Sequence, residues 1–136
     1  TLMKQHVADA IQPGDHAATF GANPVVANVA LTVMEKLQAD GLIEEIKAKG
    51  DHLRARLEKL QQRWPEQISE IRGRGLLQGA VVTDRPPADY LAAFRERDIL
   101  VAPCATDVVR FLPPLVIEKD QIDEAVDVFD EILRQS

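Results

Sequence analysis

The sequence contains little cysteine and few aromatic residues, and its acidic residues outnumber the basic ones. Each of these features argues against a class of protein. It contains one cysteine, Cys104, so no disulfide can form within the chain, and this suits a reducing compartment such as the cytoplasm. Only 4% of the 136 residues are aromatic, and 22 acidic residues against 16 basic ones give a net charge of −6. Binding to nucleic acid needs a basic surface, so we predict no nucleic-acid partner. Cys104 follows Pro103 in an apolar run, and we interpret it as a buried, unreactive thiol.

Long apolar runs and metal-ligand patterns are also missing. The longest apolar stretch, residues 25–34, is interrupted by Asn28 and Thr32 and is too short to cross a membrane, so we predict no membrane partner. We recognise no signal peptide, and the first residue is not methionine, which fits a fragment or a processed product. His6 and His16 match no metal-ligand spacing, and we predict no metal site.

The most informative segment is a loop with two glycines ahead of a long apolar stretch: Gly14-Asp15-His16-Ala17-Ala18-Thr19-Phe20-Gly21-Ala22-Asn23-Pro24. Asn23 and Pro24 form the pattern of a helix start, with asparagine as the cap and proline at the first helical position. The Thr19 hydroxyl and the free N–H groups at the start of a helix could bind a phosphate. From these residues alone, a loop that only turns the chain is the simpler interpretation.

Apolar periodicity predicts three long helices. The first spans residues 24–39 and is apolar on most sides, so we expect it to be mostly buried. The second spans residues 42–64, with one apolar face and one charged, solvated face that includes Lys49, and Gly50 should weaken its middle. The third spans residues 119–133 and carries one apolar face.

The second half of the chain has the pattern β-β-α-β-β-α over residues 65–136. Its strands are predicted at 68–71, 72–82 (with a glycine bend), 99–102 and 108–112, and its first helix at 88–98. The glycines of residues 72–82 resemble a nucleotide-binding loop only superficially, because the third glycine is one residue late and strand-like runs flank the segment. These elements predict an α+β fold in which helices pack on a small, mainly antiparallel sheet.

A single arginine interrupts the apolar run Val108-Val109-Arg110-Phe111-Leu112-Pro113-Pro114-Leu115. Burying the Arg110 guanidinium there is costly unless a carboxylate or phosphate meets it. Its planar group fits a carboxylate through two parallel hydrogen bonds. From composition alone, an outward-pointing arginine on an edge strand, or a pair with one of the many acidic residues, is the simpler explanation of the run.

Both segments resemble sequences of the class III aminotransferases. The loop is similar to Gly-x-His-x-Ser-Thr-Phe-Gly-Gly-Asn-Pro, with Ala18 in place of the serine and Ala22 in place of the second glycine. The run around Arg110 is similar to Val-x-Arg-Leu-Leu-Pro-Pro-Leu. Residues 72–79 and 99–101 match in the family's order, so the resemblance covers essentially the whole chain. It is greatest for the acetylornithine and succinylornithine branch.

This resemblance implies a fold, a cofactor and two site residues. The fold would be the C-terminal small domain of a fold-type I transferase that depends on pyridoxal 5′-phosphate (PLP), plus its long connecting helix. Residues 1–23 would end the large PLP-binding domain, 24–40 would form the connecting helix and 41–136 the small domain. Thr19 would contact the PLP phosphate of the partner subunit in a homodimer. Arg110 would bind the α-carboxylate of the amino-acid or 2-oxo-acid substrate.

The implied activity is amino transfer between an N-acylornithine-type donor and 2-oxoglutarate, in arginine metabolism and in the cytoplasm. A 4-aminobutyrate or ornithine aminotransferase of the same class, or a non-catalytic stand-alone fragment, are the alternatives. We assign no catalytic residue, because no lysine of the chain precedes a stretch of the Ala-Leu-Gly-Gly-Gly type. The resemblance puts the Schiff-base lysine upstream of this chain, and the chain alone should be inactive.

Overall fold

The structure, a computed structural model, describes residues 2–12, 14–15, 19–21, 23–38 and 41–135. It divides into two compact units, residues 1–39 and residues 40–136. The first unit contains helices α1 (Gln5–Ala8) and α2 (Pro24–Leu37). Helix α2 begins as the sequence predicts, because Asn23 Oδ1 accepts a hydrogen bond from the Val25 N–H at 2.9 Å and Pro24 is the first helical residue.

Helix α2 differs from its prediction in burial. We expected it to be mostly buried, but none of its residues is buried, and Val25 and Val29 are 71% and 58% exposed. The pattern of α2 is that of a helix covered on most sides, whereas the only other helix among the described residues of the first unit is the four-residue α1. A buried helix needs a second apolar surface, which α1 is too short to provide.

The second unit confirms the predicted order of elements. Helix α3 (Leu42–Arg63) is followed by β1 (Ile68–Arg74), β2 (Leu77–Val82), α4 (Pro87–Arg95), β3 (Ala102–Cys104), β4 (Val108–Phe111) and α5 (Lys119–Arg134). The strands form one antiparallel sheet in the order β1-β2-β4-β3. The fold is therefore α+β. Strand β3 begins three residues later than the start predicted for it, and Pro103 lies at its centre.

Strands β1 and β2 form a hairpin from the glycine-rich segment. Arg74 pairs with Leu77 across a two-residue turn, and Gly75 in that turn has a φ of +55°. Strand β2 follows directly, so these glycines do not lie between a strand and a helix as in the nucleotide-binding pattern. A register shift between Ile68 and Glu70 adds a bulge near the start of β1.

The core lies between one face of the sheet and helices α3, α4 and α5. Alternate residues of the central strands, such as Ala80, Val109 and Phe111, join it. Phe94, Phe111 and Phe129 pack with ring centroids 5.5 to 5.9 Å apart. Three of the four phenylalanines thus bury their apolar surface in this core.

Helix α3 departs from the predicted division into a buried face and a solvated face. Lys49, expected in solvent, is only 4% exposed, and its Nζ lies 2.6 Å from Glu45 Oε1 one turn earlier. Gly50, expected to weaken the helix, is also buried, because the helix touches the hairpin turn there. A Cβ on Gly50 would lie 2.5 Å from the carbonyl carbon of Gly75. Glycine therefore permits a contact between helix and turn that no larger residue allows.

Part of the charged face of α3 packs against α5. His52 Nε2 and Arg56 Nη1 lie 2.8 Å and 2.9 Å from Asp123 Oδ1. At the C-terminal end of α3, Trp64 Nε1 donates to Asp130 Oδ1 at 2.7 Å. These groups are half-buried, so they contribute to the α3–α5 interface as well as to solubility.

Tyr90 is the only tyrosine and is fully buried. Its hydroxyl donates to Asp84 Oδ1 at 2.7 Å, and the Arg85 guanidinium lies 4.1 Å from the ring centroid. Burial, aided by the hydrogen bond to Asp84, raises the pKa of Tyr90 from 10.0 to about 12. The raised pKa means that the folded state favours the protonated phenol.

Alkaline titration of Tyr90 should therefore destabilise the fold. The stabilisation linked to this group is complete below pH 10 and is lost as the pH rises through about 12. We expect tyrosinate absorbance to rise only with a midpoint near 12, together with loss of the far-UV circular dichroism signal. The urea-unfolded chain should titrate near pH 10 as a control. A midpoint near pH 10 in a chain that keeps its helical signal would contradict this prediction.

Candidate functional site

Arg110 lies on an interior strand of the sheet. Strand β4 pairs with β2 on one side and β3 on the other. Its neighbours Val109 and Phe111 are 0% and 5% exposed and belong to the core. Because side chains alternate along a strand, Arg110 lies on the opposite face of the sheet from the three helices. The edge-strand explanation of this arginine is therefore wrong.

The Arg110 side chain has no protein partner among the residues that the structure describes. It makes neither a hydrogen bond nor an ion pair with them, and its Nε is buried without an acceptor. The alternative of a pair with one of the acidic residues therefore fails in the described part of the chain. A buried donor without an acceptor costs about 1–3 kcal/mol. A carboxylate bound to the guanidinium would remove that cost and fit its planar geometry.

The cross-strand partners of Arg110 are Gly79 on β2 and Ala102 on β3, two of the smallest residues. The space at Gly79 is taken by Val108, because a Cβ on Gly79 would lie 2.7 Å from Val108 Cγ1. Beyond Gly79 in the same row lies Arg72 on β1, whose Nη2 is 2.8 Å from Glu70 Oε2. The sequence alone did not predict that Arg72, Gly79 and Arg110 lie side by side across three strands. The spacing of Gly79 within the matched glycine-rich segment was the available signal, but only the strand register shows that Gly79 lies beside Arg110.

Thr19 lies in the first unit, in an exposed turn shortly before α2. Its side chain makes no hydrogen bond to any other residue whose placement is described, so the hydroxyl can donate to and accept from a ligand. The 14-residue helix α2 follows, and Asn23 caps one of its N–H groups. A phosphate fits this chemistry, since it accepts hydrogen bonds from a hydroxyl and from the remaining N–H groups of a helix start. His16, Ala18 and Ala22 of the same loop lie outside the described residues.

Thr19 and Arg110 belong to different units, and each is described only within its own. Neither unit offers a described lysine suited to covalent chemistry. Lys49 is held by Glu45, and Lys47 is paired with Asp51 at 2.6 Å on the helix surface. Thr19 and Arg110 are thus candidate anion-binding groups.

Cys104 is exposed, and the prediction of a buried thiol is wrong. It ends the short edge strand β3, where no further strand covers it. Within the described ranges, no cluster of three or more His, Cys, Asp or Glu residues could bind a metal ion. No helix in these ranges has both the length and the apolar character that crossing a membrane requires.

The sequence matches one family model and many relatives. The model, described as aminotransferase class-III, matches residues 1–133. An acetylornithine aminotransferase of Prochlorococcus marinus (strain MIT 9313) is 44% identical over 125 residues, which cover 89% of this chain and 29% of that protein. The mitochondrial acetylornithine aminotransferase of Saccharomyces cerevisiae is 33% identical, covering 98% of this chain and 31% of that protein. The chain spans about a third of the length of these relatives.

Solved structures share the fold over nearly the whole chain. An acetylornithine aminotransferase from Elizabethkingia anophelis superposes with a TM-score of 0.78 at 28% identity, covering 99% of this chain and 34% of that one. The ornithine aminotransferase of Toxoplasma gondii superposes with a TM-score of 0.77 at 32% identity, covering 95% of this chain and 31% of that one. The chain therefore shares its fold with about a third of each of these two aminotransferases.

Proposed function

The chain belongs to the class III aminotransferase family, and on that premise we propose that it is part of a PLP-dependent aminotransferase. The proposed reaction moves an amino group between an N-acylornithine-type donor and 2-oxoglutarate, as part of arginine metabolism. The relatives that are 44% and 33% identical are both named acetylornithine aminotransferases, which supports an N-acylated ornithine as the amino donor. We propose a cytoplasmic location as well, because a single cysteine suits a reducing compartment.

The observation that carries this proposal is the buried, unpartnered Nε of Arg110 on an interior strand. An amino-acid donor and a 2-oxo-acid acceptor share an α-carboxylate next to the reacting carbon. One guanidinium that binds this carboxylate through two hydrogen bonds can therefore orient both substrates in turn. On the β3 side of Arg110, the cross-strand partner Ala102 adds only a methyl group.

For the cofactor, we propose that Thr19 and the start of α2 bind the PLP phosphate of the partner subunit in a homodimer. When bound, PLP supplies the electron sink that makes the bond to the α-hydrogen breakable. Residues 1–23 would then end the large domain, 24–40 would form the connecting helix and 41–136 the small domain. The lysine that reacts with PLP would belong to a part of the enzyme outside this chain, so the chain alone should be inactive.

Replacing Thr19 with valine in the full-length enzyme should weaken PLP binding by roughly tenfold to a hundredfold. The change keeps the size and branching of the side chain and removes a hydrogen bond to a charged group, which contributes about 1.5–3 kcal/mol. The dissociation constant of PLP, measured by cofactor absorbance after dialysis, checks this result. Thr32→Val is the matched control, since the Thr32 hydroxyl only donates to Asn28 O within α2. An equal loss in both variants would argue against a phosphate contact at Thr19.

The choice of amino donor is tested by a substrate panel. The full-length enzyme should show kcat/KM for N-acetylornithine roughly tenfold or more above the values for ornithine and 4-aminobutyrate, with 2-oxoglutarate as acceptor. The expected difference comes from the acyl group, which removes the charge of the distal amine. A higher kcat/KM for ornithine or 4-aminobutyrate would reassign the enzyme to another branch of the same family.

A non-catalytic interaction module is the second candidate function, favoured by the exposed apolar residues of α2. A chain with that role would need a partner to cover this helix. The interaction module is tested by the mass of the purified 136-residue chain, measured by size-exclusion chromatography with light scattering. A well-behaved monomer would argue against the module.

A further inference from the structure

Gly79 lies directly opposite Arg110 on the neighbouring strand β2. Its φ is not positive, so the backbone conformation does not require glycine there. The space beside it does, because a Cβ on Gly79 would lie 2.7 Å from Val108 Cγ1, whereas the next nearest atom would be 3.9 Å away. A methyl group of Val108 therefore lies where the side chain of residue 79 would otherwise be, across from Arg110.

Val108 is held in this position by its own neighbours. It lies two residues before Arg110 on β4 and therefore on the same face of the sheet. Val81 on β2 is its direct cross-strand partner, and the two valines are 6% and 7% exposed, so they pack as a cross-strand pair. A β-branched side chain also has few rotamers in a strand. Val108 is thus a stiff group beside the arginine.

Arg110 depends on such neighbours for its orientation. An arginine side chain has many rotamers, and no described residue accepts a hydrogen bond from its Nε. That Nε is nevertheless buried, so neighbouring side chains surround the apolar stem that leads to it. On the β3 side, Ala102 contributes only a methyl group. Apolar packing on the β2 side is therefore the contact that can fix the direction of the guanidinium.

We propose that Gly79 and Val108 are positioning residues for Arg110. The missing side chain at position 79 admits the Val108 methyl group, and this group holds the arginine in the rotamer that binds the substrate carboxylate. The inference rests on the proposed function and deepens it, since both residues act through Arg110 and neither touches the substrate. Two parallel hydrogen bonds require an aligned guanidinium, and a misplacement of about 1 Å can cost roughly a hundredfold in rate.

Gly79→Ala in the full-length enzyme should raise the KM for glutamate and for the acylated donor by roughly tenfold, with kcat changed by less than about twofold. Val81 blocks one side of Val108, so the new Cβ displaces the Val108 methyl group towards Arg110 or away from the sheet. Val108→Ala removes the methyl group without a clash and should raise both KM values by roughly threefold. In the double variant, the methyl group added at position 79 replaces the one lost at position 108. Both KM values should then fall to within about threefold of the original.

A binding measurement and a core variant separate positioning from stability. Glutarate has the carboxylates of the acceptor but no group to transfer, and its dissociation constant, measured by calorimetry, should rise in parallel with KM. Val126→Ala removes the same two methyl groups from the helix side of the core, where Val126 is 1% exposed. It should lower the thermal midpoint and leave both KM values and the glutarate affinity unchanged.

Unchanged KM values and glutarate affinity in a folded Gly79→Ala enzyme would overturn the positioning role. So would single-variant effects that multiply in the double variant, since they would then be independent. If Gly79→Ala does not fold, Val108→Ala decides alone, and unchanged values there would also overturn it. The proposed function fails separately, when Arg110→Ala itself leaves both KM values unchanged. A rise with Arg110→Ala but with neither neighbouring variant would refute this inference only.

Discussion

Replacing Arg110 with alanine in the full-length enzyme should raise the KM for glutamate and for the acylated donor by roughly thirtyfold or more, with a smaller change in kcat. Removing one member of a buried charged pair costs about 2–5 kcal/mol, and each 1.4 kcal/mol corresponds to a factor of ten. The proposed contact is made to a carboxylate that both substrates share, so both KM values should rise together. Steady-state rates for each substrate, with the other saturating, measure the effect.

Two comparisons make the Arg110 result interpretable. Arg72→Ala removes an arginine on the same sheet face that is already paired with Glu70, and it should change either KM by less than about threefold. The free energy of unfolding of Arg110→Ala should equal or exceed that of the original chain, because the Nε has no acceptor to lose among the described residues. An unchanged KM for glutamate would exclude the substrate role. A large loss of stability would instead indicate a structural role.

Replacing Gly50 with alanine should destabilise the chain by about 2–4 kcal/mol. The new Cβ would lie 2.5 to 2.8 Å from three backbone atoms of Gly75, and neither the helix nor the hairpin turn can move without disturbing other core contacts. Helix propensity alone predicts the opposite sign, since alanine is favoured over glycine by about 1 kcal/mol within a helix. Urea-induced unfolding followed by circular dichroism decides between the two signs.

Ala55→Gly on the exposed side of α3 is the matched control. It should cost about 1 kcal/mol through helix propensity only. If Gly50→Ala were instead as stable as the original chain or more so, the close contact between α3 and the hairpin turn would be refuted. The comparison thus separates a packing effect from a propensity effect within one helix.

Local patterns predicted the elements of this fold well, because each depends on neighbours in the sequence. The cap at Asn23, the extent of α3 and the β-β-α-β-β-α order all followed from spacing and turn residues. The stretch around Arg110 was identified as a strand, but its interior position depends on pairing with β2 and β3. Such pairing joins segments far apart in the sequence, and no local pattern records it.

The errors also come from contacts between distant segments. Gly50 has to be glycine because the backbone of Gly75 leaves no room for a Cβ. Lys49 is buried although lysine is usually exposed. Cys104 is exposed because β3 is an edge strand. Helix α2 is exposed because the described part of the first unit contains only one other helix, of four residues. Thr19 and Arg110 were selected by residue chemistry and family resemblance, and their roles stay predictions.

The two outer strands of the sheet affect how the protein behaves at high concentration. An unprotected edge strand can pair with the edge of another molecule and start aggregation. Strand β3 is only three residues long, and its central Pro103 has no N–H to donate. Strand β1, on the other edge, carries a bulge and the charged residues Glu70, Arg72 and Arg74. Both edges therefore resist intermolecular sheet growth, which should limit fibril formation by this half of the chain during folding.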